Sequence, residues 1–348
     1  MMNRVTFALA LLTSVTGTLA AAGPAVSRAY AATPPQIDQA TWASTKKRVQ
    51  LPNGIAIAYV EVGNPHGEPL LLLHGYTDTS RAWTILVPFL SNYRLLIPDL
   101  RGHGASTTPD CCYAIADFAY DARLFLDALG VDRAAIAGHS LGSMIAQRFA
   151  AEYPDRATKV ALLGSTARPA LDRGHWLFTA VDAANGRMTQ NPEFLAQWSP
   201  SSSPTPVDPA FLRFADAETA RIAPIVWTSV VKELTEAPVA RHAADVTAPV
   251  VILSAGKDIF FDSSHHQSLL DAYPGAASHI FPDLGHDFIK ERPAEVGPVL
   301  ARMLASAGKD AKRSAGLDEE PTVDAKRETK SSAHRGHWPK RLFHGSRR

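Results

Sequence analysis

The sequence predicts an α/β fold built on a mostly parallel, doubly wound sheet, and three observations carry that prediction. Short apolar runs recur along the chain, each ending abruptly in Gly, His, Pro or Asp. Helical patterns separate the runs, and strands alternating with helices through Gly-rich crossovers build a parallel sheet covered on both faces. One stretch, residues 166–237, breaks the rhythm with helical patterns alone, as an inserted helical cap would.

The elements follow in order. Arg48–Leu51 and Ile55–Val62, joined by Pro52-Asn53-Gly54, read as an antiparallel hairpin at the sheet edge. Leu70–Leu73, Leu95–Ile97 and Ala134–Ala137 are short apolar runs ending at His74-Gly75, Pro98-Asp99 and Gly138-His139-Ser140, the pattern of buried parallel strands. Helices are expected over Ala82–Leu90 and Ile115–Leu129. In the second of these, Phe118, Leu124, Phe125, Leu126 and Leu129 form the apolar stripe and Gly130 is the stop. A helix over Leu141–Tyr153 ends at Pro154, and Val160–Leu163 is the next strand. The insertion holds helical stretches at Trp176–Ala184, Pro192–Trp198 and Ala217–Leu234, interrupted by a Ser- and Pro-rich run at 201–206. After it come a strand at Val250–Leu253, a helix at Ser263–Ala272, a short strand at Ser278–Phe281 and a last helix at Pro293–Ala305.

Composition sets the outer limits. With 348 residues, 46% hydrophobic and 20% charged, the chain is not disordered, collagen-like, a heptad repeat or a small disulfide scaffold. Residues 1–31 open with Met1-Met2-Asn3-Arg4, continue uncharged from Val5 to Ala22 and reach Ala29-Tyr30-Ala31, which describes a secretory signal peptide. Cleavage is expected after Ala31, with Ala20-Ala21-Ala22 as an earlier site and an uncleaved anchor as the other reading. No later segment is apolar enough to span a bilayer. Residues 306–348 hold 11 basic and 6 acidic residues and almost no apolar ones before Trp338, so a disordered basic tail is expected. The overall charge of +1 thus hides a body, residues 32–305, with 22 basic and 28 acidic residues, which argues against nucleic acid as a partner.

Gly138-His139-Ser140-Leu141-Gly142 lies between a predicted strand and a predicted helix, the setting a nucleophile elbow needs. A serine hydroxyl is inert until a base takes its proton and an acid orients that base. Among thirteen histidines, His286 follows the last predicted strand, where a loop reaches the elbow; His265, His266 and His279 fall within a helix or a strand. Asp258, just beyond the strand at Val250–Leu253, is the expected acid, with Asp262 in reserve. The backbone amides of Tyr76 and Leu141 are the expected oxyanion hole. Cys111 and Cys112 are adjacent, and Cα atoms about 3.8 Å apart fall short of the roughly 4.4 Å that ordinary disulfides need. A strained bond, two thiols and pairing between chains all stay open. No His/Cys cluster has zinc-site spacing, so neither metal nor other cofactor is expected.

Taken together, Leu73-His74-Gly75-Tyr76, the run from Pro98 to Ser106, Gly138-His139-Ser140-Leu141-Gly142, Gly256-Lys257-Asp258 and Gly285-His286 resemble the α/β-hydrolase superfamily in its capped serine esterase and peroxidase-like branch. The resemblance covers about residues 45 to 305. It implies core segments at 32–165 and 238–305 with the cap at 166–237, and mainly loop-shaping roles for Asp99 and His103. Serine at 140, in place of a carboxylate, argues against the epoxide hydrolase and haloalkane dehalogenase branches. The expected activity is hydrolysis of a carboxylic ester or related acyl bond in a small hydrophobic molecule, through Ser140, His286 and Asp258. A lactonase, a carbon-carbon bond hydrolase, a cofactor-free haloperoxidase or perhydrolase, and a non-catalytic binding protein on the same fold are the alternatives. The cap supplies Trp176, Phe178, Phe194, Trp198, Phe211, Phe214 and Trp227, most of them expected to form its own core.

Overall fold

A computed structural model describes residues 37–314, with Pro238 left out. Residues 1–31, expected to be a signal peptide, and the part of the expected basic tail beyond Ser314 lie outside the described residues. The strands are β1 (Lys47–Gln50), β2 (Ala56–Gly63), β3 (Pro69–Leu73), β4 (Arg94–Pro98), β5 (Ala134–His139), β6 (Ala157–Leu163), β7 (Val250–Ala255) and β8 (Ala277–Phe281). They form one eight-stranded sheet in the order β1-β2-β4-β3-β5-β6-β7-β8. The expected hairpin β1–β2 and the β2–β4 pair are antiparallel; the remaining pairs are parallel.

Successive side chains of a strand point to opposite faces, so runs apolar at every position bury both faces of a sheet. Leu71, Leu73, Leu96, Ile136, Leu162 and Ile252 enter one core, together with Phe118 and Phe125 of α1 (Ile115–Ala128) and Met144 and Phe149 of α2 (Leu141–Glu152). Leu70, Leu72, Leu95, Ala135, Leu163 and Leu253 enter the other, closed by Trp83 and by Val296, Leu300 and Leu304 of the last helix.

The insertion between β6 and β7 carries α3 (Trp176–Ala183), α4 (Pro192–Ser201), α5 (Pro209–Thr219) and α6 (Pro224–Glu236). It is followed by α7 (Ser263–Ala272), a single-turn α8 (Phe288–Glu291) and α9 (Pro293–Ser314). Among the described residues, no helix is long and apolar enough to cross a membrane.

Several expectations change. The span Ala82–Leu90 holds two 3-10 turns, Ser80–Trp83 and Val87–Phe89, in place of an α-helix. Pro88 removes a backbone donor there and restricts the residue before it. The single helix expected over Ala217–Leu234 is two, α5 and α6, because Ala223 before Pro224 takes an extended ψ of 148°. The last helix continues past Ala305 to Ser314, into the segment read as tail. Cys111 and Cys112 are joined to each other.

Candidate active site

Ser140 ends β5 and starts α2 at φ 54° and ψ −122°, a conformation that L residues rarely adopt. Two glycines make this turn sterically feasible. A Cβ on Gly138 would stand 2.1 Å from the carbonyl oxygen of Gly142, and one on Gly142 would stand 2.2 Å from that of Leu73. Strand and helix therefore meet only because both positions lack a side chain, and the hydroxyl is raised at the C-terminal end of the sheet.

Asp258 lies in the loop after β7. Its Oδ1 accepts the amides of Phe260 and Phe261, at 2.8 and 2.9 Å, which fixes the carboxylate in place. Its Oδ2 lies 2.8 Å from His286 Nδ1, and His286 Nε2 lies 2.9 Å from Ser140 Oγ. With Nδ1–H donating to the acid, Nε2 presents a lone pair to the hydroxyl. All three side chains are buried. Burial disfavours a charged imidazole, but the charge and hydrogen bond of Asp258, with Asp287 adding to them, prevail and hold the pKa of His286 above its ordinary value. Asp262, the reserve acid, is spent elsewhere: it caps α7 by accepting the amides of Ser264 and His265. His265 and His266 lie in α7 and His279 in β8, away from the serine.

Tyr76 lies beyond the end of β3, outside the strand ladder. Leu141 opens α2, where the first amides have no partner within the helix. Gly75 packs so closely that its missing Cβ would stand 3.2 Å from Ser140 Cβ, which brings the Tyr76 segment against the elbow. The same segment is bound to the cap. Tyr76 Oη donates to the Trp227 carbonyl at 2.7 Å, Trp198 Nε1 to Thr77 Oγ1 at 2.9 Å, and Thr219 Oγ1 to the Thr77 carbonyl at 3.0 Å. Glu218 accepts Thr79 Oγ1 and Arg81 Nη2, each at 2.6 Å.

Beneath this layer His74 donates from Nδ1 to the Gly75 carbonyl and accepts the Leu100 amide at Nε2. Asp99 receives Lys46 Nζ and the amides of Ser80 and Ala105. His103 packs edge-on against His74. Asp99 and His103 thus shape the loop, as expected.

A cavity of about 780 Å³, its open mouth included, faces Ser140 and His286. Its walls are mostly apolar: Leu171, Leu177, Trp198, Val207, Phe211, Leu234, Phe260 and Phe261. Of the cap aromatics, Trp198 and Phe211 reach the cavity, while Phe194 and Trp227 pack within the cap. Phe260 and Phe261 come from the core and were not singled out in the sequence, although their neighbour Asp258 was.

One charged corner interrupts the apolar wall, formed by Asp78, Asp287 and Lys290, none of which the sequence pointed to. Asp78, His139 and Asp287 bring ligand-type atoms within 4.8 Å of one another. The Lys290 ammonium lies 2.8 Å from Asp78 Oδ1 and 2.9 Å from Asp287 Oδ1, so the cation balancing these carboxylates is the protein's own.

An elbow serine after the fifth strand, an acid after the seventh and a histidine after the eighth, under a helical insertion, are the layout of a capped α/β hydrolase. Residues 68–293 match the alpha/beta hydrolase fold family, and the chain belongs to it. A serine hydrolase-like protein of Danio rerio is 42% identical over 104 residues, 29% of this chain and 32% of that protein. Lipase 1 of Psychrobacter immobilis is 34% identical over 125 residues, 34% of this chain and 38% of that one. The chain thus spans only about a third of the length of either relative, 32% and 38%. Among solved structures, a membrane phospholipase A described as a bacterial virulence factor superposes with a TM-score of 0.65 at 26% identity. That match covers 75% of this chain and 86% of the other.

Proposed function

We propose that the protein is a serine hydrolase that cleaves a carboxylic ester, or a related acyl bond, of a small hydrophobic molecule. One observation carries the reading: a single buried imidazole bonded at Nδ1 to Asp258 and at Nε2 to Ser140 Oγ, at the foot of an apolar cavity. His286 takes the Ser140 proton as Oγ bonds to the substrate carbonyl carbon, and the carbonyl electron pair moves to oxygen. The amides of Tyr76 and Leu141 stabilise that oxyanion. Collapse expels the alcohol, which leaves with the proton held by His286. Water, deprotonated by the same imidazole, attacks the acyl-serine and releases the acid. Asp258 keeps the proton on Nδ1 and stabilises the imidazolium.

The apolar walls favour an uncharged acyl or aromatic group. The basic start and small-residue site of residues 1–31 support export to the periplasm or the medium as part of this proposal.

A fluorophosphonate probe and a p-nitrophenyl ester series test the reading. Wild type is expected to be labelled at Ser140 and to turn over short-chain esters, and Ser140→Ala to do neither. Labelling without ester turnover would redirect the search to lactones and diketones. No labelling would favour a non-catalytic binding protein.

A further inference from the structure

The charged corner of the cavity has no part in the acyl transfer just described, yet burying it is costly. An ammonium and two carboxylates largely withdrawn from water lose much of their hydration, offset only by close pairing. Lys290 has that pairing: Nζ lies 2.8 and 3.0 Å from the two oxygens of Asp78 and 2.9 Å from Asp287 Oδ1. The other oxygen of Asp287 accepts Ser202 Oγ, just past α4 of the cap, at 2.7 Å.

The two carboxylates belong to segments far apart in the chain. Asp78 follows Tyr76 and Thr77 in the loop that offers an oxyanion donor. Asp287 adjoins His286, and Lys290 lies one turn further on, in α8.

We propose that Lys290 is a positioning residue, whose buried ammonium ties the oxyanion loop to the loop of the base and so fixes the distance between the Tyr76 donor and His286. The proposal rests on the serine-hydrolase reading above. An oxyanion hole works only if its donors are held where the charge will develop, and displacements near 1 Å can cost about a hundredfold in rate. Without Lys290, Asp78 and Asp287 would repel each other and the two loops would separate.

The ammonium also acts on the base through space. The groups facing His286 are Asp258 from the β7–α7 loop, Asp287 beside it, Lys290 from α8, Ser140, the rings of Phe260 and Phe261, and His139 of β5, which burial keeps neutral. Asp258 and Asp287 favour the imidazolium, and Lys290 opposes it.

The test compares full-length wild type, Lys290→Met, Lys290→Arg and Asp78→Asn for fluorophosphonate labelling and for p-nitrophenyl butyrate hydrolysis across pH. Lys290→Met is expected to lose about tenfold or more in kcat with KM little changed, and to move the acid limb of its rate profile to higher pH. Lys290→Arg should recover most of the rate and restore the limb. Asp78→Asn leaves a neutral Lys290–Asp287 pair, is expected to keep the fold and reduces the tie on the other side from a two-oxygen ion pair to a single uncharged acceptor, so its kcat should fall with KM little changed. It decides the matter if Lys290→Met does not fold. Unchanged kcat in Asp78→Asn, or an arginine variant no better than the methionine one, overturns the proposal while leaving the hydrolase reading intact. Wild type that is neither labelled nor active overturns both.

Discussion

The hydroxyl of Tyr76 donates to the main-chain carbonyl of Trp227 at 2.7 Å, so the residue whose amide is the proposed oxyanion donor is fastened by its side chain to α6 of the cap. The cap is therefore a covering and also a support for the loop after β3, helped by Trp198 and Thr219 on Thr77 and by Glu218 on Thr79 and Arg81.

Tyr76→Phe removes that one bond and little volume. The expected cost is about 1 kcal/mol in stability, with a several-fold loss in kcat, read by thermal melting and ester kinetics. Glu218→Ala leaves the buried Arg81 guanidinium with Gln39 but no carboxylate partner and should cost more, roughly 3 kcal/mol, with a raised KM as the cap loosens. Equal melting temperatures for wild type and Glu218→Ala would mean that the pair does not brace the cap.

Ser140 sits at positive φ, which glycine tolerates and alanine does not. Ser140→Gly and Ser140→Ala should both lose ester turnover, by roughly a factor of 10⁶ if the three groups act as a unit. The glycine variant should be the more stable of the two, by about 1 kcal/mol in denaturant titration. An alanine variant as stable as the glycine one would show that the elbow holds no strain.

Under the proposed function His286 acts as a base in its neutral form, and the fold raises its pKa above the ordinary 6.5. Turnover should therefore rise with pH through a midpoint above 6.5 and fall away below it, in the kcat/KM profile of the free enzyme. Asp258→Asn removes the main group that raises the pKa, so its residual activity should titrate at lower pH. A wild-type midpoint well under 6.5 would contradict the arrangement of charges around His286.

Burial holds His74 and His139 down at about 4 and His103 at about 3. Folded-state values below the unfolded value of about 6.5 mean that the unfolded chain takes up protons first as pH falls. Each group then withdraws stability at up to about 1.4 kcal/mol per pH unit between 6.5 and its folded pKa. Denaturant midpoints should decline steeply from pH 6.5 to 4, and His103→Gln should flatten part of that decline.

Ser140, the candidate nucleophile, was legible in the sequence because the elbow imposes glycine through steric contact, and such contact leaves a fixed local pattern. Asp258 and His286 were legible because a parallel sheet puts strand ends on one side, so position relative to a strand stands in for position in space. The charged corner left no such trace. Lys290 sits in a stretch of Phe, Ile, Lys and Glu that reads as ordinary surface helix, and its partner Asp78 is distant along the chain. The break between α5 and α6 was missed because the apolar spacing runs through Pro224, which decides the backbone by itself. Phe260 and Phe261 were missed for a related reason. The sequence points to aromatic residues in the cap, most of them expected to form its own core, whereas the loop that orients Asp258 supplies part of the cavity wall.

The cap enters after β6 and leaves before β7, so Ser140 precedes it along the chain while Asp258 and His286 follow. During synthesis the elbow emerges first, most of the cavity walls next, and Asp258 and His286 after them. A chain stopped inside the cap carries Ser140 without either of them. Under the proposed function, hydrolysis becomes available only once the final strand has been made, so a nascent or truncated copy cannot acylate itself on stray esters.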